Sequence, residues 1–172
     1  MDEASTMVSR DAYREAMARL GAAVNVITTD GPGGRRGFTA SAVCSVTDDP
    51  PTLLVCCNRG NDSHAALLVN RVMCVNTLAA GQIDVSDVFA GVGGREGSAR
   101  FDVGDWFLLV TGAPALRGAA VSFDCRITEV TEIGTHSVLF GEVAALEQGS
   151  RRGGLIYFGR AYHRLSHTLA GE

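Results

Sequence analysis

Apolar residues recur at two intervals along this chain, and the shorter interval dominates. Ser9 stands where it would cap a helix from about Arg10 to Leu20, in which Tyr13, Met17 and Leu20 fall at i, i+4 and i+7 before Gly21 stops it. The period then drops to two. Val24, Val26 and Thr28 alternate with Asn25, Ile27 and Thr29, and the turn DGPGGRRG (Asp30 to Gly37) sends the chain back as a hairpin with a long loop. In the returning stretch Thr39, Ser41, Val43, Ser45 and Thr47 share one strand face, and Phe38, Ala40, Ala42, Cys44 and Val46 the other. Leu53 to Cys57 reads as a strand buried on both faces, Ser63 to Val69 as a short helix and Val72 to Leu78 as another strand. Gln82 to Ala90 has helical spacing, and GVGGREGSARFD (Gly91 to Asp102) reads as a flexible loop. Val121, Phe123, Cys125 and Ile127 alternate with Ser122, Asp124, Arg126 and Thr128 as a half-buried strand; EIGTHS is its turn and VLFGEVAAL its return, and Leu155 to Phe158 is a last strand. Hairpins with inserted helices, and no regular strand–helix–strand alternation, predict a mainly β protein: a small barrel with peripheral helices.

Composition narrows the class. At 172 residues with 46% hydrophobic and 20% charged positions, one globular domain spanning 1–172 is expected. The N-terminus is acidic and polar where a signal peptide is basic and then apolar, and no apolar run approaches membrane-spanning length, so a cytoplasmic protein with no membrane association is expected. The net charge of −4 and the absence of any long Lys/Arg run argue against nucleic acid as a partner. The five cysteines, Cys44, Cys56, Cys57, Cys74 and Cys125, sit inside apolar runs without C-x-x-C spacing, which reads as small buried hydrophobes in a reducing compartment and no metal site.

The polar motifs are few. The glycine clusters GPGGRRG and GVGGREG lack both the G-x-G-x-x-G spacing and the strand-to-helix context of a dinucleotide loop. No G-x-S-x-G elbow accompanies the Ser, His and Asp residues present. Two readings fit the uncharged Thr39–Thr47 face: a solvated barrel surface, or a bed for a flat polar ligand. The segment RGNDSHAALL (Arg59 to Leu68) adds Asp62 or Ser63 as helix cap, free N–H groups and Arg59, an arrangement open either to a plain cap or to an anion. A hydroxyl-lined strand leading to an anion-ready helix end is what flavin mononucleotide requires.

These segments, in this order, resemble the flavin reductase-like family. GAAVNVITTDG resembles the family's opening G-V-x-V-V-T strand, and GFTASAVCSVTDDPPTLLVCCNRGNDS its G-x-T-A-N-S-x-x-S-V-S-x-x-P-P-L-V core. VMCVNTLAAGQIDVSDVFAG, RFDVGDW, VSFDCRITEVTEIGTHSVLFGEV and YFGRAYHRL resemble the remaining blocks, so the likeness runs from about Tyr13 to Leu165. It implies an FMN-binding split β-barrel, Greek-key-like, with peripheral α-helices. It also implies hydride transfer from NADH or NADPH to FMN or FAD, a homodimer, and a flavin-dependent monooxygenase that receives the reduced flavin. Under the same resemblance Thr39, Ala40, Ser41 and Ala42 line the flavin ring. Ser45, Cys56 and Ser63 continue toward its phosphate, with Asn76, Leu78 and Gln82 nearby. His136 contacts the nicotinamide as the catalytic residue, and Arg160 and Tyr162 border that pocket. The chain departs from the family pattern where Ser41-Ala42 replaces Asn-Ser and Thr135 replaces the Asp before His136. A flavin-binding carrier without turnover and a pyridoxamine-phosphate-type oxidase are the competing readings on the same barrel.

Overall fold

The computed structural model describes residues 8–150 and 153–166. Helix α1 (Arg10–Met17) is capped at Ser9, whose hydroxyl accepts from Ala12 N at 3.2 Å. It ends three residues short of the expected Leu20, and Tyr13, Met17 and Leu20 are exposed instead of packed. Twelve strands follow or surround two further helices: β1 (Ala22–Ala23), β2 (Asn25–Thr29), β3 (Arg36–Ala40), β4 (Val43–Asp48), β5 (Pro51–Asn58), α2 (His64–Asn70), β6 (Val72–Thr77), α3 (Ile83–Phe89), β7 (Trp106–Leu108), β8 (Pro114–Leu116), β9 (Val121–Ile133), β10 (His136–Gln148), β11 (Gly154–Phe158) and β12 (Ala161–Leu165). The expected loop 91–102 is in part ordered, ending in a 3₁₀ helix over Gly97–Asp102 that buries Arg100 and Phe101.

Seven strands form one sheet in the order β3-β2-β6-β9-β10-β5-β4. Strands β3 and β4 are therefore neighbours in sequence but opposite edges of the sheet. Only Ser41 and Ala42 connect them, a reach of at most about 11 Å. The sheet has to curl until its edges nearly meet, without the two edges pairing, which is a split barrel. This overturns the expectation of one continuous hydroxyl-lined strand, because the chain leaves one edge at Ala40 and joins the other at Val43.

Inside the curl sits a core of Ile27, Phe38, Leu53, Val55, Leu67, Met73, Val75, Ile127 and Leu139. A second core lies outside it, between β2 and α3, where Val24, Val26, Leu78, Val85, Phe89, Phe101 and Leu116 meet. Strand β2 serves both cores, so all five of its residues are buried. Rings of Phe89, Phe101 and Trp106 meet edge-to-face or tilted at centroid distances of 5.0–5.3 Å, contacts worth about 0.5–1.5 kcal/mol each beyond their burial. Gly37 makes room for that cluster, since a Cβ there would stand 2.7 Å from the Phe89 ring and 2.9 Å from the Ile27 carbonyl. A small sheet, β1-β11-β12, is stitched to the barrel by backbone bonds from Val24 N to Leu155 O (3.0 Å) and Leu78 N to Val24 O (2.9 Å).

The β9–β10 hairpin turns at Gly134–Thr135 as expected, but both strands are longer than the pattern indicated. Ser122 and Asp124, expected on an exposed face, are buried. The segment before β8 covers them, and Asp124 accepts from Val110 N and Thr111 N at 2.7 Å each and from the Thr111 hydroxyl. Of the cysteines, Cys57, Cys74 and Cys125 are buried, Cys56 is half-buried, and Cys44 is exposed, contrary to its expected burial. Arg151 and Arg152, expected in a loop, and His167 lie outside the described residues.

Candidate active site

Where β3 ends against the small sheet, the surface opens into a cleft of about 230 Å³ lined by Val24, Thr39, Ala40, Ser41, Ala90, Tyr157 and Tyr162. Its floor is the end of β3, Thr39 and Ala40, and the first residue of the crossing, Ser41, all small. Its walls are two tyrosines from β11 and β12, with ring centroids 5.5 Å apart and planes 65° to one another. Apart from the tyrosines nothing ionisable lines it, so it suits a flat, uncharged body.

Helix α3 fixes the width of this cleft. The Thr39 hydroxyl donates to Ser86 O at 2.7 Å, tying β3 to the helix. The Tyr162 hydroxyl donates to Asp87 Oδ1 at 2.9 Å and lies 2.9 Å from Ser86 Oγ, tying β12 to the same turn. Burial, reinforced by the Asp87 carboxylate, holds the Tyr162 phenol above its usual value, so it stays a neutral donor. Asn25 locks the floor from beneath, donating from Nδ2 to Ala40 O at 3.3 Å and accepting from the Thr77 hydroxyl at 2.7 Å. Because β3 is an edge strand, alternate backbone groups along it have no strand partner and face outward as donors and acceptors.

Other expected residues scatter. Ala42 and Cys56 meet just beyond the crossing, where Cys56 N donates to Ala42 O at 3.0 Å. His136 opens β10 opposite Asn58, on the same outer sheet face as Cys56; it is exposed, with Nδ1 2.9 Å from the Thr135 hydroxyl. Arg160 stands in the β11–β12 turn, lining a groove that adjoins the cleft at Ser41 and Tyr157.

Five expected residues are placed where their side chains do not face the cleft. Ser45 lies in a separate hollow of about 310 Å³ with Thr47, Phe123 and Val143, because the crossing carries it to the opposite edge of the sheet. Ser63 is fully buried and its hydroxyl donates to Asp62 Oδ1 at 3.3 Å, making no cap bond. At that helix start Ser63 N donates to Asn61 Oδ1 at 2.9 Å and His64 N to Asn61 O at 3.1 Å, and the Asp62 carboxylate beside them pairs with Arg100 Nη2 at 3.2 Å. Asn76 is fully buried, donating to Val26 O at 3.1 Å and accepting from Leu116 N (2.8 Å) and Ser122 Oγ (2.7 Å), so its amide organises the core. Leu78 belongs to the second core. Gln82 accepts from Ala79 N at 2.9 Å and donates to Arg117 O at 3.2 Å, which closes the turn before α3.

The pattern reading missed Val24, Ala90 and Tyr157 as lining residues, and Ser86 and Asp87 as their supports. Tyr157 was signalled only by its place in YFGRAYHRL. Val24 lies in the block GAAVNVITTDG, and Ser86, Asp87 and Ala90 in VMCVNTLAAGQIDVSDVFAG, but no role was drawn for them from those blocks.

Residues 17–166 match the model of the flavin reductase like domain. Over 164 residues the chain is 58% identical to the FMN reductase (NADH) RutF of Ancylobacter novellus, covering 95% of this chain and 90% of the relative. Among solved structures, a protein assigned as a flavin reductase from Haemophilus somnus 129PT superposes with a TM-score of 0.88 at 43% identity, covering 92% of this chain and 100% of that one. BorF, the flavin reductase component of a bacterial two-component tryptophan halogenase, superposes with a TM-score of 0.86 at 29% identity over 93% of this chain and 100% of its own. The small-residue floor, the split barrel and these near-full-length likenesses lead to one conclusion: the chain belongs to the flavin reductase-like family.

Proposed function

We propose that this protein is an NADH-dependent FMN reductase that releases reduced flavin to a flavin-dependent monooxygenase. The observation that carries the reading is the 58% identity, over nearly the full length of both chains, with an FMN reductase that uses NADH. The cleft supports it independently. A floor of Thr39, Ala40 and Ser41 admits a planar ring to contact with the backbone, and the outward groups of edge strand β3 supply hydrogen bonds along the ring edge. Tyr157 and Tyr162 flank it, and Ala90 closes the end without bulk.

Flavin, when bound, would supply the redox chemistry as the acceptor of hydride from the reduced nicotinamide. The chain's own contribution is to bind the two rings, align them and exclude water between them, which lowers the barrier through orientation and not through acid–base groups. Thr39 and Tyr162, held to one turn of α3, keep the walls at a fixed spacing. Ala42 and Cys56 continue the surface past the crossing, and His136, exposed on the outer face, contacts the nicotinamide. The fit of flavin as a released substrate follows from the open cleft and from Ala42, which offers no side-chain bond. The protein works as a homodimer in the cytoplasm; the exposed edge strand β4, with Val46 46% accessible, is the face a second copy would cover. No helix among the described residues is long and apolar enough to cross a membrane.

The test is to add FMN to the purified protein and follow NADH absorbance. Flavin-dependent loss of NADH is expected, and binding of FMN without turnover would leave a carrier in place of an enzyme. Within an active enzyme, His136→Ala is expected to lower kcat about 10–100-fold while FMN affinity changes less than about twofold. Equal losses in both would remove His136 from the nicotinamide site.

A further inference from the structure

The floor of the cleft is made of backbone as much as of side chain, and an edge strand has hydrogen-bonded neighbours on one side only. Strand β3 pairs with β2 alone. Its Ala40 carbonyl takes Asn25 Nδ2, from β2, at 3.3 Å, whereas its Gly37 carbonyl is reached from outside the sheet, by Arg100 Nη1 at 2.8 Å. Backbone groups alternate in direction along a strand, so Thr39, two residues from Gly37, turns its carbonyl and N–H to that same open side. The free groups of Thr39, which a ring lying on the floor would meet, thus stand between two pinned carbonyls.

Arg100 is the pin that needs explaining. It lies in the 3₁₀ helix Gly97–Asp102 and is only 9% accessible, yet every nitrogen of its guanidinium is engaged. Nη1 donates to Gly37 O and, at 3.3 Å, to Asp62 Oδ1; Nη2 stands 3.2 Å from Asp62 Oδ2; and Nε donates to Arg95 O at 3.1 Å. One side chain therefore joins the floor strand, the residues before α2 and the loop that leaves α3 after Ala90, which itself lines the cleft. Arg100 does not line the cleft, so whatever it does there it does through β3.

A buried ion pair is a poor device for stability alone, because desolvation of the charges cancels most of their attraction and an apolar side chain of similar volume serves as well. What an apolar side chain lacks is direction. Both oxygens of Asp62 take N–H groups from the same guanidinium, a fork that fixes its plane, and the plane fixes where Gly37 O can sit. Gly37 is confined from elsewhere too, since a Cβ there would stand 2.7 Å from the Phe89 ring and 2.9 Å from the Ile27 carbonyl.

We propose that Arg100 is a positioning residue for the flavin: by holding Gly37 O it sets the free backbone groups of Thr39 where the ring edge meets them, and Asp62 orients it for that task. The proposal rests on the flavin reductase reading of the cleft. Transfer between two rings is sensitive to their placement, a displacement of about 1 Å costing up to about 100-fold, so a loosened floor weakens both flavin affinity and turnover.

Three variants, Arg100→Met, Arg100→Lys and Asp62→Asn, are compared with the unaltered protein and with Leu139→Ala, a truncation in the barrel core that does not touch the cleft. The urea midpoint, the FMN dissociation constant from flavin fluorescence, and kcat at saturating NADH and FMN are measured for each. Arg100→Met is expected to raise the FMN dissociation constant about tenfold and lower kcat about tenfold. Arg100→Lys keeps the charge without the fork and should recover part of both, and Asp62→Asn should weaken FMN about threefold. Leu139→Ala should lower the midpoint and leave FMN affinity within about twofold. If Arg100→Met loses stability as Leu139→Ala does but binds FMN within about twofold of the parent, Arg100 only braces the fold and the proposal is overturned. Should Arg100→Met fail to fold, the other two variants decide, and FMN affinity within about twofold of the parent in both overturns it. Absence of NADH oxidation by the unaltered protein would instead refute the reductase reading, and the FMN dissociation constants would still report on Arg100.

Discussion

Two short segments with nearly the same chemistry, Thr39–Ser41 and Ser45–Thr47, sit on either side of the Ser41–Ala42 crossing and have opposite fates. In the first, Thr39 and Ala40 are half-buried at the end of β3, pinned to α3 through the Thr39 hydroxyl and to β2 through Asn25, Ser41 follows exposed at the crossing, and the three floor the cleft. The second is exposed on β4; its threonine hydroxyl reaches only the backbone around Asp49, at 3.4 Å and 3.3 Å. Small hydroxyl residues do not themselves make a ligand bed. What makes one is a rigid backing on one side and an unpaired strand edge on the other, and only β3 has both.

Measurements can break or sharpen that contrast. The largest difference should appear at high pH, between the thiol on β4 and those of the core. Burial pushes the Cys57 and Cys125 thiols up from 9.0 to about 12, and Cys74 also well above the ordinary range. Between pH 9 and about 12 the unfolded chain loses thiol protons that the folded chain keeps. Fewer protons are then bound in the unfolded state, and stability falls as pH rises through that window, being complete below 9.0. Urea titrations at stepped pH should show this decline, with Cys44→Ala leaving it intact and Cys125→Ala reducing its slope; an equal effect of the two would contradict the burial. A smaller change is expected from Gly37→Ala, which drives a methyl toward Phe89 and the Ile27 carbonyl at the backing of β3. It should cost about 1–3 kcal/mol in chemical denaturation, whereas an unchanged midpoint would mean the backing is soft. The smallest difference separates the two segments directly. Thr39→Ala should cost about 1 kcal/mol and weaken flavin binding, and Ser45→Ala should stay within about 0.5 kcal/mol without touching binding. Matching effects from these two variants would erase the distinction between the strands.

Much of this arrangement was readable beforehand where a segment carries its own period. The β9–β10 hairpin, its Gly134–Thr135 turn, α2, α3 and the existence of β5 all follow from local spacing, although β5 buries only the Leu53, Val55 and Cys57 face and leaves Leu54 and Cys56 half-exposed, where burial on both faces was expected. Strands β7 and β8, three residues each, do not, because tertiary contact and not a repeat defines them. The burial of Ser122 and Asp124 was equally hidden, since a distant segment folds over a face whose alternation looks solvated. The floor of the site was visible in GFTASA, but the rest of its lining comes from three separate parts of the chain, Val24, Ala90 and the β11–β12 hairpin, which only the fold brings together. Asn76 shows the converse case: the family resemblance set it near the flavin, and its amide ties β6 to β2, β8 and β9.

The Ser41–Ala42 crossing has a thermal consequence. It directly joins the edge strands β3 and β4, and its first residue lines both the cleft and the groove beside it. A ligand lying across Ser41 therefore also straps the seam shut, and any opening of the barrel along that line must first expel it. Ligand affinity and resistance to unzipping are coupled at one peptide, so the midpoint of heat denaturation should climb with the logarithm of added flavin, and the barrel should be easiest to prise open in the moment after its product has left.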